Sequence, residues 1–222
     1  MFKVTRPTII PPSLEAKKKY DGEDVYISLL ACFHKKCYLC ETKEPHDINV
    51  EHFKSHQGDV NRKFDWNNLY LSCSRCNNIK LTGFDNLLDC CDPTLDVSLL
   101  IKMLPPRTPY SKKVEIEALN NDEKTLLTAS LLNKIYNSEH TINKGISGSF
   151  LRRKIFDQLA FLNNNIRDYI SPDATPQKKQ EAIESMRVLS SPKSAFSAFI
   201  KHSLLDDEEL SELVFGQDQR NF

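Results

Sequence analysis

The sequence has no run of about 18 or more apolar residues, so it offers no candidate membrane span. Its first residues, Met1-Phe-Lys-Val-Thr-Arg6, lack the apolar core of a signal peptide, and a cytoplasmic location is the expectation that follows. An excess of charge is missing too: 30 Lys and Arg cancel 30 Asp and Glu. A chain without a net field is not pulled onto phosphate backbones at long range. Any nucleic-acid contact must then rest on a local patch or on a partner, whereas chemistry on a phosphate held at one site is not excluded.

What is present begins with length. A chain of 222 residues, 40% of them hydrophobic, can bury a core in one large domain or two small ones. Its seven cysteines, in a chain without an export signal, call for a use other than disulfides. Four of them form two pairs, Cys37-Tyr-Leu-Cys40 and Cys73-Ser-Arg-Cys76. Each pair makes a knuckle in which two thiolates reach one ion, and two knuckles complete the tetrahedral sulfur shell that zinc favours. A closed shell leaves no open position, so this zinc is expected to be structural. Its binding energy becomes folding energy for the loop-rich stretch from Lys36 to Phe84, which holds too little apolar surface to fold unaided. A redox dithiol would more often be one pair at a helix start in a β/α setting. Cys32, Cys90 and Cys91 read as small buried hydrophobes.

Residues Phe2 to Pro12, with Pro7, Pro11 and Pro12, read as an extended arm. A helix is expected from about Asp21, with that aspartate as N-cap and Val25, Leu29, Cys32 and Phe33 at helical spacing. Ile48-Asn-Val-Glu-His-Phe53 alternates and predicts a short strand, Ile48 and Val50 sharing a face. A second helix is expected to open at Asn77. Pro93, Pro105, Pro106 and Pro109 punctuate a connector with a helical piece over Val97 to Met103 and a short strand at Val114-Glu-Ile-Glu. Beyond Glu123 the pattern is mainly helical, without repeats or low-complexity tracts. Leu127, Leu131, Leu132 and Ile135 mark one helix, and Leu151, Ile155, Leu159, Leu162 and Ile166 a longer one. Pro172, Pro176 and Pro192 separate further helices, and the acidic run Asp206 to Glu209 begins the last.

Between the knuckles lies Val50-Glu51-His52-Phe53, and around the second lies Trp66-Asn67-Asn68-Leu69 through Cys73-Ser-Arg-Cys76-Asn77-Asn78-Ile79-Lys80. An acidic residue and a histidine on a strand, Asn-Leu before a knuckle and Cys-Asn-x-x-Lys after it resemble the HNH endonuclease motif, the ββα-metal fold. The resemblance selects Asn77 over Asn78, because it directly follows the last cysteine, and Asn68 over Asn67, because it precedes leucine. It implies a catalytic set of Glu51, His52, Asn68 and Asn77. A histidine suits a general base near neutral pH. Glu51 and Asn77 offer the hard oxygen ligands that Mg²⁺ or Mn²⁺ prefers, and such an ion relieves charge on the phosphate and the leaving oxygen. Asn68 matches the position that pins the loop between strand and helix. Glu51 stands where many members carry Asp, and Asn77 where the motif's name implies His; both keep an oxygen ligand.

Neighbouring strand residues point to opposite faces, so Glu51 and His52 can converge only at a strand edge or on a distorted strand. His56 is a weaker candidate, for phosphate contact or as a second ligand. Lys54, Arg62, Lys63, Arg75 and Lys80 are candidates for a phosphate track. His34 and His46 flank the first knuckle without an assigned role.

Taken whole, with Leu131-Leu-Asn133, Phe150-Leu-Arg-Arg153 and Ser194-Ala-Phe-Ser-Ala-Phe-Ile200, the chain resembles the HNH nucleases of the PtuB type found in Septu and retron-associated anti-phage systems. That resemblance implies a nucleic-acid substrate, DNA or RNA, and a PtuA-like ATPase partner. In retron systems a reverse transcriptase with its DNA–RNA product joins them. No membrane partner is implied. The expected architecture is α+β: an arm and helix over residues 1–30, a zinc-stapled ββα-metal module over 31–92, and a mainly helical region over 93–222 for partner docking. Its amphipathic helices and the acidic end, Asp206 to Glu212, are candidate docking surfaces. A reading from another class, a non-catalytic zinc scaffold or nucleic-acid-binding module, uses the same cysteines without the chemistry.

Overall fold

The computed structural model describes residues 1–139 and 146–216, the side chain of Thr82 excepted; residues 140–145 and 217–222 of the expected C-terminal region lie outside the described residues. The proline-bearing N-terminal stretch is extended, as expected, but it is no appendage. Met1, Phe2 and Val4 are buried, and the Val4 N–H donates to the Cys90 carbonyl at 2.9 Å. A short helix α1 (Pro12–Glu15) leads through a tight turn into α2 (Glu23–Cys32). The N-cap of α2 is Gly22 rather than Asp21, and no side chain caps it. Close approach explains the glycine: a Cβ there would lie 2.5 Å from Ser13 Oγ. Asp24, inside the helix, instead accepts the Ser13 N–H at 2.8 Å and joins the two helices.

Next come β1 (Ile48–His52), α3 (Val60–Lys63), a 3-10 turn over Trp66–Asn68, β2 (Leu69–Cys73) and α4 (Ser74–Lys80). The strands form an antiparallel hairpin that sets Glu51 opposite Tyr70 and His52 opposite Leu69. All of β2 is buried, and its Leu71 carbonyl also accepts the Tyr38 N–H of the first knuckle at 2.9 Å. Ile48 and Val50, expected to share a face, are both half-buried; the most buried residue of β1 is Glu51. The expected opening of α4 is also displaced. The helix starts at Ser74, whose N–H donates to the Asp47 carbonyl at 3.2 Å, so Cys76 and Asn77 stand inside it.

The helical piece expected over Val97–Met103 is instead a 3-10 turn, Val97–Leu99, that runs into β3 (Ile101–Leu104). Ile101 and Met103 are buried on either side of a half-exposed Lys102, the period-two pattern of a strand. The antiparallel partner β4 (Glu115–Ala118), close to where a strand was expected, takes up that backbone. Helices α5 (Glu123–Asn137), α6 (Gly148–Ile170), α7 (Pro176–Ser190), α8 (Ser197–Leu205) and α9 (Glu208–Phe215) complete an α+β architecture with two small antiparallel hairpins. Four of these starts are written locally: the side chains of Asp122, Ser147, Thr175 and Asp207 accept N–H groups of the first turns.

The larger cluster of buried apolar side chains runs from Met1 through the knuckle cysteines to Ile155 and Phe199, crossing both boundaries expected near residues 30 and 92. A smaller cluster, with Leu162, Met186, Ile200 and Val214, joins α6 to α9. Where they meet, Lys36 and Glu41 form a fully buried pair at 3.4 Å, and the Ser197 hydroxyl at the start of α8 donates to Glu41 at 3.0 Å. The first knuckle is thus the seat on which the C-terminal helices are built. Among the described residues, no helix is long and apolar enough to cross a membrane.

Candidate metal centre and catalytic pocket

The four paired cysteines converge. Their sulfurs lie within 4.8 Å of one another, all four are buried, and Cys40 and Cys73 are 3.9 Å apart. Zinc–sulfur bonds of about 2.3 Å in a tetrahedron set sulfur–sulfur edges of roughly 3.8 Å, so the cluster is close enough to hold one zinc ion. The first knuckle is a tight hairpin: the Glu41 N–H donates to the Cys37 carbonyl at 2.9 Å and the Cys37 N–H to the Thr42 carbonyl at 3.1 Å. His34, Lys35 and Glu41 adopt left-handed backbone around it, at φ 53°, 57° and 56°. Such strain persists where surrounding structure over-determines it, as a metal knuckle does. Four buried thiols packed this closely cannot all ionise alone. Burial opposes ionisation of Cys37, but hydrogen bonds from the other three draw it well below the usual thiol range. The Cys73 thiol, bonded to Cys37 and Cys40, is driven up, and burial drives Cys76 up. A divalent cation would take the place of the shared protons.

Over the last residues of β1 lies a pocket of about 400 Å³ lined by Glu51, His52, His56 and Asn77, with Tyr20, Lys80 and Asp85 among its other walls. Glu51 and His52, despite opposite strand faces, line the same cavity because it sits at the strand's end, where α4 crosses the hairpin. His52 is half-buried, and its Nε2 lies 3.0 Å from the Lys63 carbonyl. A carbonyl can only accept, so Nε2 carries the proton and Nδ1 is left as the basic nitrogen. Burial, with help from His56, Lys63 and Lys80, holds the imidazole below its usual value, against the pull of the Lys63 carbonyl. Neutral His52 is therefore the form at neutral pH.

Glu51 is buried, with the Tyr38 hydroxyl donating to Oε1 at 2.8 Å and Lys80 Nζ at 3.4 Å from the same oxygen. Its Oε2 has no hydrogen-bond partner. Burial pushes the carboxyl up to about 7, although Lys80 and Tyr38 pull the other way. Asn77 is exposed on α4 at the pocket's rim. Asn68 lies outside this cavity and does something else. Its Oδ1 accepts the Lys54 N–H at 2.7 Å, and its Nδ2 donates to the carbonyls of Lys54 at 2.9 Å and Arg62 at 3.1 Å. Three bonds from one side chain clamp both ends of the loop that follows β1, the loop whose far end presents the Lys63 carbonyl to His52.

Two residues expected on a phosphate track are buried and engaged within the protein. Arg75 is buried and donates to the Ser138 carbonyl at 2.9 Å, at the C-terminal end of α5, where a helix dipole favours a cation. Lys80 is buried too, bridging Glu51 and the His52 carbonyl, the latter at 3.0 Å. Lys54 and Arg62 are exposed and Lys63 half-exposed. The His56 ring lies 4.8 Å from that of His52, with Nδ1 accepting the Gly58 N–H at 3.1 Å. Cys32 and Cys90 are buried, as small hydrophobes would be, and Cys91 is half-buried. Asp89, Cys90 and Cys91 form a second group within 4.8 Å, but Asp89 Oδ1 already accepts from Tyr70 and from the Cys91 N–H.

Sequence reasoning missed Tyr38, Tyr20 and Asp85. Tyr38 stands between the ligands of the first knuckle, which is the one signal it gave. Tyr20 reaches His52 at 4.7 Å between ring centroids from a loop more than twenty residues away in sequence. Asp85, whose Oδ1 accepts the Ser55 N–H at 3.1 Å, follows α4 and belongs to no motif. The chain matches no protein-family model, and no curated protein matches it. Its class is set by its own geometry: an α+β protein with a closed four-cysteine cluster fit for zinc, beside a pocket lined by a histidine, a carboxylate and an amide.

Proposed function

We propose that the chain is a metal-dependent endonuclease of the HNH type, hydrolysing phosphodiester bonds of DNA or RNA. The observation that supports this most is the His52–Lys63 bond: it fixes the tautomer of a half-buried imidazole and leaves Nδ1 basic, in the cavity that Glu51 and Asn77 also line. Glu51 and Asn77 are the residues that would hold Mg²⁺ or Mn²⁺. The buried, unpartnered Glu51 Oε2, on a residue that lines one cavity with Asn77, fits an oxygen-seeking cation. When bound, the ion would relieve charge on the phosphate and on the leaving oxygen. His52 Nδ1 takes the proton of the attacking water, while Asn68 holds the loop that orients the ring. The cysteine cluster, as a zinc site, would fix the start of α4 and with it Asn77, one residue after Cys76.

A specific observation favours the second reading, a non-catalytic zinc scaffold or nucleic-acid-binding module: Glu51 is already paired to Lys80 inside the protein. One experiment separates the two. Purified protein is incubated with DNA and RNA plus Mg²⁺ or Mn²⁺, beside His52→Ala. Cleavage lost in the variant supports the nuclease; equal cleavage counts against His52 as the base, and none from either with the partner present supports the scaffold.

By its resemblance the chain is further proposed to be the effector of an anti-phage complex, with a PtuA-like ATPase and, in a retron system, a reverse transcriptase and its DNA–RNA product. The neutral charge fits an effector whose access to substrate is controlled by others. An ATPase reading frame beside this one, and co-purification of the two proteins, is the test.

A further inference from the structure

Beside the pocket, the loop joining α1 to α2 reads Lys17-Lys18-Lys19-Tyr20, and its three lysines are all exposed. Lys17 adopts a left-handed backbone at φ 51°, and its Nζ donates to Asn61 Oδ1 of α3 at 2.9 Å. The loop is held by short-range bonds, Lys17 N–H to the Leu14 carbonyl at 2.9 Å and Lys18 N–H to the Ser13 carbonyl at 3.0 Å. Tyr20, at its end, lies against His52, and Lys63 Nζ stands 5.5 Å from the Tyr20 ring centroid. Of the loop, Tyr20 lines the cavity, and α3 stands behind it, tied to the loop by Lys17 and to the cavity wall by Arg62, which is exposed and donates to the Ser55 carbonyl at 3.0 Å.

The charges on this loop and helix are unequally paired. Among the described residues neither Lys17 nor Lys18 has an ion pair, while Lys19 is 3.9 Å from Asp21. The carboxylates nearby are engaged with backbone: Asp24 with Ser13, Asp59 with the N–H groups of Asn61 and Arg62, Asp85 with Ser55. Lys17, Lys18 and Arg62 are thus exposed and without an ion pair among the described residues, on the loop and helix whose Tyr20 ring and Lys63 carbonyl touch His52.

We infer that Lys17 and Lys18, with Arg62 across from them, bind the phosphate backbone of the nucleic-acid strand being cut. The inference rests on the nuclease reading and deepens it. Two to three residues of extended chain span at most about 7–11 Å, so the lysines reach within about three phosphates of the scissile one. The contact is to the backbone, so it positions the strand without reading its sequence.

The test measures binding, not cutting. His52→Ala protein, which leaves strands intact, is titrated by fluorescence anisotropy against single-stranded DNA, duplex DNA and single-stranded RNA at several salt concentrations. Lys17→Gln/Lys18→Gln is compared with Lys112→Gln/Lys113→Gln, two exposed lysines of the connector before β4, in a segment that contributes no residue to the pocket. Glutamine tolerates the same backbone as lysine, so charge is what changes. Each lost phosphate contact flattens the dependence of log affinity on log salt by about 0.7 to 0.9, so the first pair should flatten it by about 1.5. The control pair should not move it. A shift on any of the three nucleic acids supports the inference and names the strand. Equal slopes for both pairs and the parent, or an equal shift in the control, overturn it. Equal cleavage by wild type and His52→Ala would count against the nuclease reading alone, because the slope comparison does not depend on chemistry.

Discussion

Lys80 Nζ lies 3.4 Å from Glu51 Oε1, and both side chains are all but closed to solvent. The lysine sits on α4 and the glutamate on β1, so the pair is also the join between helix and hairpin. Removing one partner of a buried pair usually costs about 3–5 kcal/mol, because the other charge is left uncompensated. Lys80→Met should cost about 3 kcal/mol at neutral pH, toward the low end, since a carboxyl already raised to about 7 can protonate. Glu51→Gln/Lys80→Met should recover most of that loss. Calorimetric Tm values for the two single variants and the double close the cycle; strictly additive losses would show that the residues do not interact.

Zinc is the second expectation that a measurement decides. Elemental analysis should find one zinc per chain, and a strong chelator should lower Tm by roughly 10 °C or more, at about 2–4 °C per kcal/mol for a chain of this size. Cys73→Ser should do the same and should also unsettle α8, because the first knuckle carries Glu41 and Glu41 holds Ser197. A zinc-free protein with an unchanged melting curve would end the idea.

Asn68 makes a prediction that separates orientation from stability. Its three bonds are worth about 1 kcal/mol each, so Asn68→Ala should cost roughly 3 kcal/mol. Asn68→Asp keeps the acceptor for the Lys54 N–H but gives up both donors, and so frees the Arg62 end of the loop while keeping the Lys54 amide protected. Hydrogen exchange at Lys54 should therefore rise in the alanine variant and hardly at all in the aspartate one. Cleavage should fall in both, since the Lys63 carbonyl no longer holds the His52 ring.

These arguments show what the sequence made legible. The knuckles were readable because metal ligation is a local spacing rule, and the helices from α5 onward because caps and apolar periodicity are local too. Asn68 could be singled out and its clamping role anticipated from motif resemblance. What failed was everything decided by a distant partner. Arg75 looks like a surface cation until α5 is packed over it, and Val97–Met103 looks helical until β4 supplies a strand to pair with. That Glu51 is buried between Tyr38 and Lys80 could not be read from the alternation of β1 either, because both partners come from other elements. Tyr20 and Asp85 carry no signal at all, because only folding brings them to His52.

His202 gives the protein an acid limit. It is buried on α8, and burial lowers its pKa to about 4, helped by the positive charges of the Met1 amino group and Lys201 and, less, of Lys102, against a bond to the Ile101 backbone. Its Nε2 is buried without a hydrogen-bond partner, so nothing accepts a second ring proton. The sign follows from linkage. Between about 4 and the ordinary 6.5 the unfolded chain binds a proton here that the folded chain does not, so folding stability drops as pH falls through that window. The full effect is about 3 kcal/mol, from 1.36 kcal/mol per unit. His202→Gln keeps a side chain able to bond Ile101 but cannot titrate. Its stability curve, from chemical unfolding at pH 7, 6, 5 and 4, should run flatter than that of the wild type by about that amount. Parallel curves would mean that another group sets the acid limit.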